Sequence, residues 1–120
     1  MPFKVYTYKG CDTCRKAVKY LQAKQAPFTE IPIREQPPSI AELKRMLAAY
    51  EGDLRKLFNT SGQDYKALNL KEKLPKLSMT EALKLLSENG NLVKRPFALA
   101  GERGLVGFKE TEWDEFMKAI

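Results

Sequence analysis

The 120-residue sequence predicts an α/β fold: one four-stranded mixed sheet, elements in the order β-α-β … β-β-α, and a helical insertion over about residues 39–89. Three observations predict it. Near the N-terminus, period-two alternation gives way to helical spacing across Gly10 and Cys11. Near the C-terminus, two short apolar runs flank Gly101-Glu102-Arg103-Gly104, a hairpin signal, and an amphipathic stretch follows. Between them, two capping boxes open helices. The terminal elements must complete one sheet, so residues 1–120 read as a single domain, and 43% hydrophobic residues suffice for its core.

Each element has a local cause. Phe3, Val5 and Thr7 alternate with Lys4, Tyr6 and Tyr8, the pattern of a strand. Gly10 ends it and a helix starts near Asp12, with Cys14, Ala17, Val18 and Leu21 on one apolar face. Residues 28–33 form the second strand, placed at an edge because Pro32 has no N–H to donate. After Pro37-Pro38, Ser39 and Glu42 cap a helix whose core face is Ile40, Leu43, Met46 and Leu47, and Gly52 stops it. A short helix over 53–58, a turn at Asn59-Thr60-Ser61-Gly62 and a helical stretch at Tyr65 and Leu68 follow, until Pro75 breaks the pattern. Ser78 and Glu81 open another helix, ending near Asn89-Gly90. Residues 97–100 and 105–108 are the hairpin strands. Thr111 with Asp114 caps the last helix, which buries Trp113, Phe116, Met117 and Ile120.

Composition narrows the chemistry. There is no histidine, which excludes Ser-His-Asp and Cys-His pairs and any His-bearing metal site. Two cysteines supply half of a zinc site's ligands, so no metal is expected. The formal charge is +6, from 21 basic and 15 acidic residues, which favours anionic partners. The basic residues are scattered and form no nucleic-acid motif. Neither an apolar run of membrane-spanning length nor a secretory leader is present, so the expected compartment is the cytosol and no membrane partner is expected.

Cys11-Asp12-Thr13-Cys14 sits where a strand ends and a helix begins, and in a reducing compartment this reads as a redox pair. Cys11 at the helix start is favoured as a thiolate by the unpaired N–H groups and the helix dipole. Arg15 adds positive charge there and Asp12 opposes it. Cys14, on the apolar face, is shielded and less ionised. Cys11 is therefore the expected attacking thiol and Cys14 the resolving one. One helical turn leaves their Cα atoms about 5–6 Å apart, a separation that a disulfide spans.

With these residues placed, the chain resembles the arsenate reductase-like (ArsC) family, which includes the Spx/MgsR transcription regulators and YffB-type proteins. The resemblance rests on the strand-Cys-helix start, on Leu57-Phe58-Asn59-Thr60-Ser61-Gly62 with Tyr65, on Leu92-Val93-Lys94-Arg95-Pro96, and on Leu105-Val106-Gly107-Phe108 with Trp113 and Phe116. It implies a thioredoxin-like fold with a helical insertion. It also puts Pro96 in a cis bond beside the reactive thiol. Lys94 and Arg95 are cations placed to bind an anion there, and with Thr13, Arg15 and Pro96 they make up the expected substrate- or anion-binding residues.

The branches of the family diverge at telling positions. Arsenate reductases resemble one another in a His before a single Cys and in three oxyanion-holding arginines. Here Cys11 and Arg95 remain, while Asn59 and Gly107-Phe108 stand where arginines are expected. Asn59-Thr60-Ser61-Gly62 and Val106-Gly107-Phe108 look most like the YffB branch, which implies a glutathione-dependent thiol reductase with no bound cofactor, here expected as a monomer. The Cys-x-x-Cys and Gly52 are Spx-like, which implies a redox switch that binds the RNA polymerase α-subunit, although the chain lacks the longer tail associated with Spx.

Overall fold

The computed structural model describes residues 3–120; Met1 and Pro2, part of the N-terminal reading, lie outside the described residues. Strand β1 (Phe3–Thr7) is followed by α1 (Asp12–Ala23) and β2 (Phe28–Pro32). The insertion holds α2 (Ile40–Ala49), a one-turn 3₁₀ segment (Leu54–Leu57), the short helices α3 (Gln63–Ala67) and α4 (Leu70–Lys73), and α5 (Met79–Glu88). β3 (Phe97–Ala100), β4 (Arg103–Val106) and α6 (Glu110–Ala119) complete the chain. The sheet order is β2-β1-β3-β4. β1 runs parallel to β2, with Thr7 opposite Pro32, and antiparallel to β3, with Val5 opposite Ala98. β2 is thus an edge strand, as Pro32 requires.

Period-two alternation divides the core between the two faces of the sheet. Phe3, Val5, Ala98 and Leu105 pack with Ala17 and Leu21 of α1 and with Trp113 and Phe116 of α6. Tyr6, Phe97, Leu99 and Val106 face the insertion and meet Leu43, Met46, Leu57, Phe58, Leu83 and Leu86. Both capping boxes are formed, at Ser39 with Glu42 and at Ser78 with Glu81. No helix among the described residues is long and apolar enough to cross a membrane.

Several local expectations are corrected. The hairpin turn is Gly101-Glu102 alone: Gly101 has φ +62° and Ala100 already pairs with Arg103. A glycine at the first place of a two-residue turn matches the strand twist, so pairing resumes sooner than the four-residue loop allowed. Gly107, at φ +75°, then ends β4 and sends Phe108 out of the sheet, against Tyr20 and Trp113. The expected helix over 53–58 shrinks to the 3₁₀ turn, because Phe58 is extended and forms a bridge with Val93. Ile40 is exposed, since the buried position in the first turn of α2 is taken by Glu42. Thr111 and Asp114 do not cap α6: the helix starts at Glu110 and has no side-chain cap, while the Asp114 carboxylate accepts the Tyr20 hydroxyl.

Glu42 joins the insertion to the sheet. Its carboxylate accepts from the Ser39 N–H (3.0 Å), the Tyr6 hydroxyl (2.6 Å) and Lys4 Nζ (3.2 Å). Burial alone raises a carboxyl pKa, but here the Tyr6, Ser39 and Lys4 donors prevail and hold it below its usual value. A depressed folded-state pKa stabilises above the ordinary carboxylate range, and that contribution is lost as pH falls through the folded value. Glu42→Gln should cost about 1–3 kcal/mol near neutral pH. Denaturant titration should show the gap to wild type closing below roughly pH 4. Gly90 is limited by space, because a Cβ there would lie 1.9 Å from the Ile33 carbonyl oxygen. Gly90→Ala should lower the unfolding free energy by about 2 kcal/mol or more, measured in the same titration.

Candidate active site

The chain leaves β1 through a tight turn in which the Cys11 N–H donates to the Tyr8 carbonyl (3.1 Å). That turn makes Cys11 the N-cap of α1, with extended backbone, and its Sγ accepts the Cys14 N–H at 3.3 Å. One of the otherwise unpaired N–H groups at the helix start is thereby aimed at sulfur. Cys11 is half-buried, whereas Cys14 faces the core at 2% exposure; both are free thiols.

Their environments push the two thiols apart. Burial raises the Cys11 pKa, but the Cys14 thiol and N–H donating to its sulfur, and the Arg95 guanidinium beside it, outweigh burial and set it below the ordinary thiol range. Burial dominates at Cys14, and donation of its proton to Cys11 adds to it, so its pKa is pushed up to about 12.

Arg95 arrives from the far side of the fold. The extended segment before it is clamped to the insertion by Asn59 N–H on Leu92 O and Lys94 N–H on Leu57 O, both 2.8 Å. The Arg95–Pro96 bond is cis. The Pro96 carbonyl accepts the Gly107 N–H (2.9 Å), and the Gly107 carbonyl accepts Trp113 Nε1–H (2.9 Å), which ties the site to α6. The Arg95 guanidinium lies 5.0 Å from the Tyr8 ring centroid, and Arg34 lies 4.8 Å from the same centroid, donating to the Tyr8 hydroxyl at 2.8 Å. A Cβ on Gly10 would come within 2.6 Å of the Tyr8 ring, so the small residue leaves room for it.

Cys11, Cys14 and Arg95 are therefore brought together, with Pro96 next in the chain, just before β3; Arg15 lines a cavity of about 310 Å³ with Cys14, while Thr13 and Lys94 lie apart. Arg15 donates to the Lys9 carbonyl (3.0 Å) and pairs with Asp12. Arg95 supplies positive charge at Cys11, while Arg15 is engaged by Asp12 in an i,i+3 ion pair on the exposed first turn. Thr13 is exposed on that turn. Lys94 opens onto a separate cavity of about 410 Å³, lined also by Tyr50, Lys56 and Lys109. Consecutive residues of an extended segment point to opposite sides, which parts Lys94 from Arg95. Sequence reasoning missed Tyr8 and Arg34. An aromatic residue two positions before the glycine that ends β1 was the available signal for Tyr8; Arg34 had none.

A four-stranded mixed sheet with a Cys-x-x-Cys at the first strand–helix junction and a cis-proline loop before the third strand defines a thioredoxin-like α/β protein. The sequence pattern of the ArsC family matches residues 6–116, and the chain belongs to that family. It is 49% identical over 115 residues to the uncharacterised protein YusI of Bacillus subtilis, covering 96% of this chain and 98% of YusI. The global transcriptional regulator Spx of Enterococcus faecalis is 34% identical, over 94% of this chain and 84% of Spx. Among solved structures, an ArsC family related protein from Bacteroides fragilis superposes with TM-score 0.89 at 39% identity, over 96% of this chain and 97% of that one. A YffB protein of known structure shares the fold at TM-score 0.80 and 26% identity.

The opposed thiol environments have a direct readout. A Cys14→Ser variant should react with iodoacetamide near neutral pH at least about ten times faster than a Cys11→Ser variant, because only a thiolate is nucleophilic. Its rate should rise with pH through a value below the ordinary thiol range and then level off. Arg95→Gln should move that inflection upward, as thiolate ultraviolet absorbance against pH would show.

Proposed function

We propose that this chain is a thiol–disulfide oxidoreductase of the ArsC family, working as a cytosolic monomer with glutathione or another thiol and without a bound cofactor. The observation that carries this reading is the asymmetry of the thiol pair: an accessible, activated Cys11 against a buried, protonated Cys14. The Cys11 thiolate attacks one sulfur of a substrate disulfide. A Cys11–S bond forms as the substrate S–S bond breaks, and the departing thiolate takes a proton from water. Once Cys11 is in the mixed disulfide, it no longer accepts the Cys14 proton or repels a Cys14 thiolate, so two of the influences that raise the Cys14 pKa disappear. Cys14 loses its proton, attacks the Cys11 sulfur and expels the second substrate thiolate. The substrate has gained two electrons, and two thiol molecules return the Cys11–Cys14 disulfide to the dithiol while becoming a disulfide themselves.

A second reading is favoured by the 34% identity to a transcriptional regulator. In it the same pair is a switch that controls docking on the RNA polymerase α-subunit. Arsenate reduction has less support, because Asn59 lies in the recess beside Arg95 where the resemblance calls for a further arginine.

Capture from native extract with Cys14→Ser separates the first two readings. The expected product is glutathione or client protein disulfide-bonded to Cys11 and released by reductant. The oxidised protein should not bind the isolated polymerase α C-terminal domain at physiological salt. A micromolar complex, about −8 kcal/mol, that weakens on reduction would replace the enzyme reading with the switch.

A further inference from the structure

The cavity of about 410 Å³ onto which Lys94 opens lies on the insertion side of the sheet, and neither cysteine nor Arg95 lines it. Its floor is apolar, made by the buried Phe58 and Val106 with the Tyr50 ring beside them. Its rim is basic. Arg55 and Lys56 come from the 3₁₀ turn, Lys94 from the extended segment before β3, and Lys109 from the start of α6. A Cβ on Gly107 would lie 3.5 Å from Lys94 Cε, so the Lys94 side chain runs across the end of β4. Among the described residues, none of these four cations forms an ion pair. Asp53 and Glu112 are the two carboxylates on the rim, which leaves a surplus of two positive charges. A cleft of one prevailing sign with low-dielectric walls concentrates the potential and draws in an anion.

Charge, volume and lining restrict the ligand. The surplus of two charges matches a phosphomonoester, which carries about −1.5 to −2 near neutral pH. The Tyr50 hydroxyl accepts the Val106 N–H at 3.0 Å, which leaves its own proton to donate, and that hydroxyl rotates to meet an acceptor. The volume exceeds what a phosphate ion fills and falls in the range of small-molecule sites, about 300–1,000 Å³. The remaining space faces Phe58 and Tyr50, whose rings pack well against a flat ring. The Asp53 and Glu112 carboxylates accept only, so they repel a second phosphate and suit hydroxyl or amino donors. One phosphate, hydroxyl groups and a planar ring together describe a nucleoside monophosphate.

We propose that this cavity binds a nucleoside monophosphate, with its phosphate held by Lys56, Lys94 and Lys109 and its base against Phe58 and Tyr50. The inference goes beyond the oxidoreductase reading and does not rest on it. The bound molecule bridges the insertion, through Lys56 and Phe58, to Lys94, whose N–H is clamped to the Leu57 carbonyl and whose neighbour in the chain is Arg95.

Adenosine and guanosine 5′-monophosphate, titrated into the reduced full chain at physiological salt, test the site. Calorimetry should give a dissociation constant below about 1 mM for at least one of them. Backbone NMR signals of Phe58, Thr60 and Val106 should move, while those of Arg34 and Gln63, in the recess beside Arg95, stay in place. The free nucleoside, which lacks the phosphate, and inorganic phosphate, which lacks the ring, should each bind at least about tenfold more weakly. Lys56→Gln and Lys109→Gln should each weaken the nucleotide about three- to tenfold. Both residues are exposed, so the variants keep their fold. Lys16→Gln removes the same charge from α1, across the sheet, and should leave the constant unchanged. The proposal is overturned if neither nucleotide binds below about 1 mM, or if both cavity variants bind as wild type does. Nucleoside or inorganic phosphate binding as tightly as the nucleotide, or signals moving at Arg34 and Gln63 instead, would overturn it equally.

Discussion

Pairing of β1 with strands on both of its edges is the constraint on which the site depends. β2 occupies one edge in parallel and β3 the other in antiparallel. The parallel neighbour requires a crossover helix, which makes the end of β1 a helix start and places Cys11 on it. The antiparallel neighbour brings the start of β3, and with it Arg95 and Pro96, back to that same end. The thiol and its guanidinium are more than eighty positions apart in the chain and meet because one strand borders both segments. The insertion supports the meeting from outside, through the Leu57 and Asn59 hydrogen bonds to the segment before Arg95.

Two cysteines three positions apart become unlike by the same local geometry. A helix start offers N–H groups to the first residue, and its inward face offers apolar packing to the fourth. Cys11 receives the Cys14 N–H and an arginine, while Cys14 receives the core. The different environments of the two thiols follow from where a helix begins.

The parts of this structure that were legible in the sequence are those governed by short-range rules. Alternation at Phe3 and Val5, the capping boxes at Ser39 and Ser78, and the missing donor of Pro32 all found their predicted places. The errors fall where a distant partner overrides a local signal. Thr111 looked like a cap because Asp114 stood at the right spacing, yet Asp114 answers to Tyr20, ninety-four positions away. Residues 53–58 read as helix, but Phe58 answers to Val93. Arg15, the nearest cation to Cys11 in sequence, pairs with Asp12, and the guanidinium beside the Cys11 sulfur is that of Arg95, far along the chain. The place of Arg34 had no local signal, because it shares the Tyr8 ring with a residue sixty-one positions later.

Trp113 is the chain's single tryptophan, fully buried between α6 and the sheet. Its indole hydrogen bond to Gly107 is one step from the carbonyl of Pro96, and its ring touches those of Tyr20, Phe108 and Phe116. The molecule therefore carries an intrinsic optical probe wired to the loop that bears Arg95, the guanidinium beside Cys11. Excited at the red edge of the indole band, where the five tyrosines do not absorb, that one indole gives an emission specific to this junction without any label.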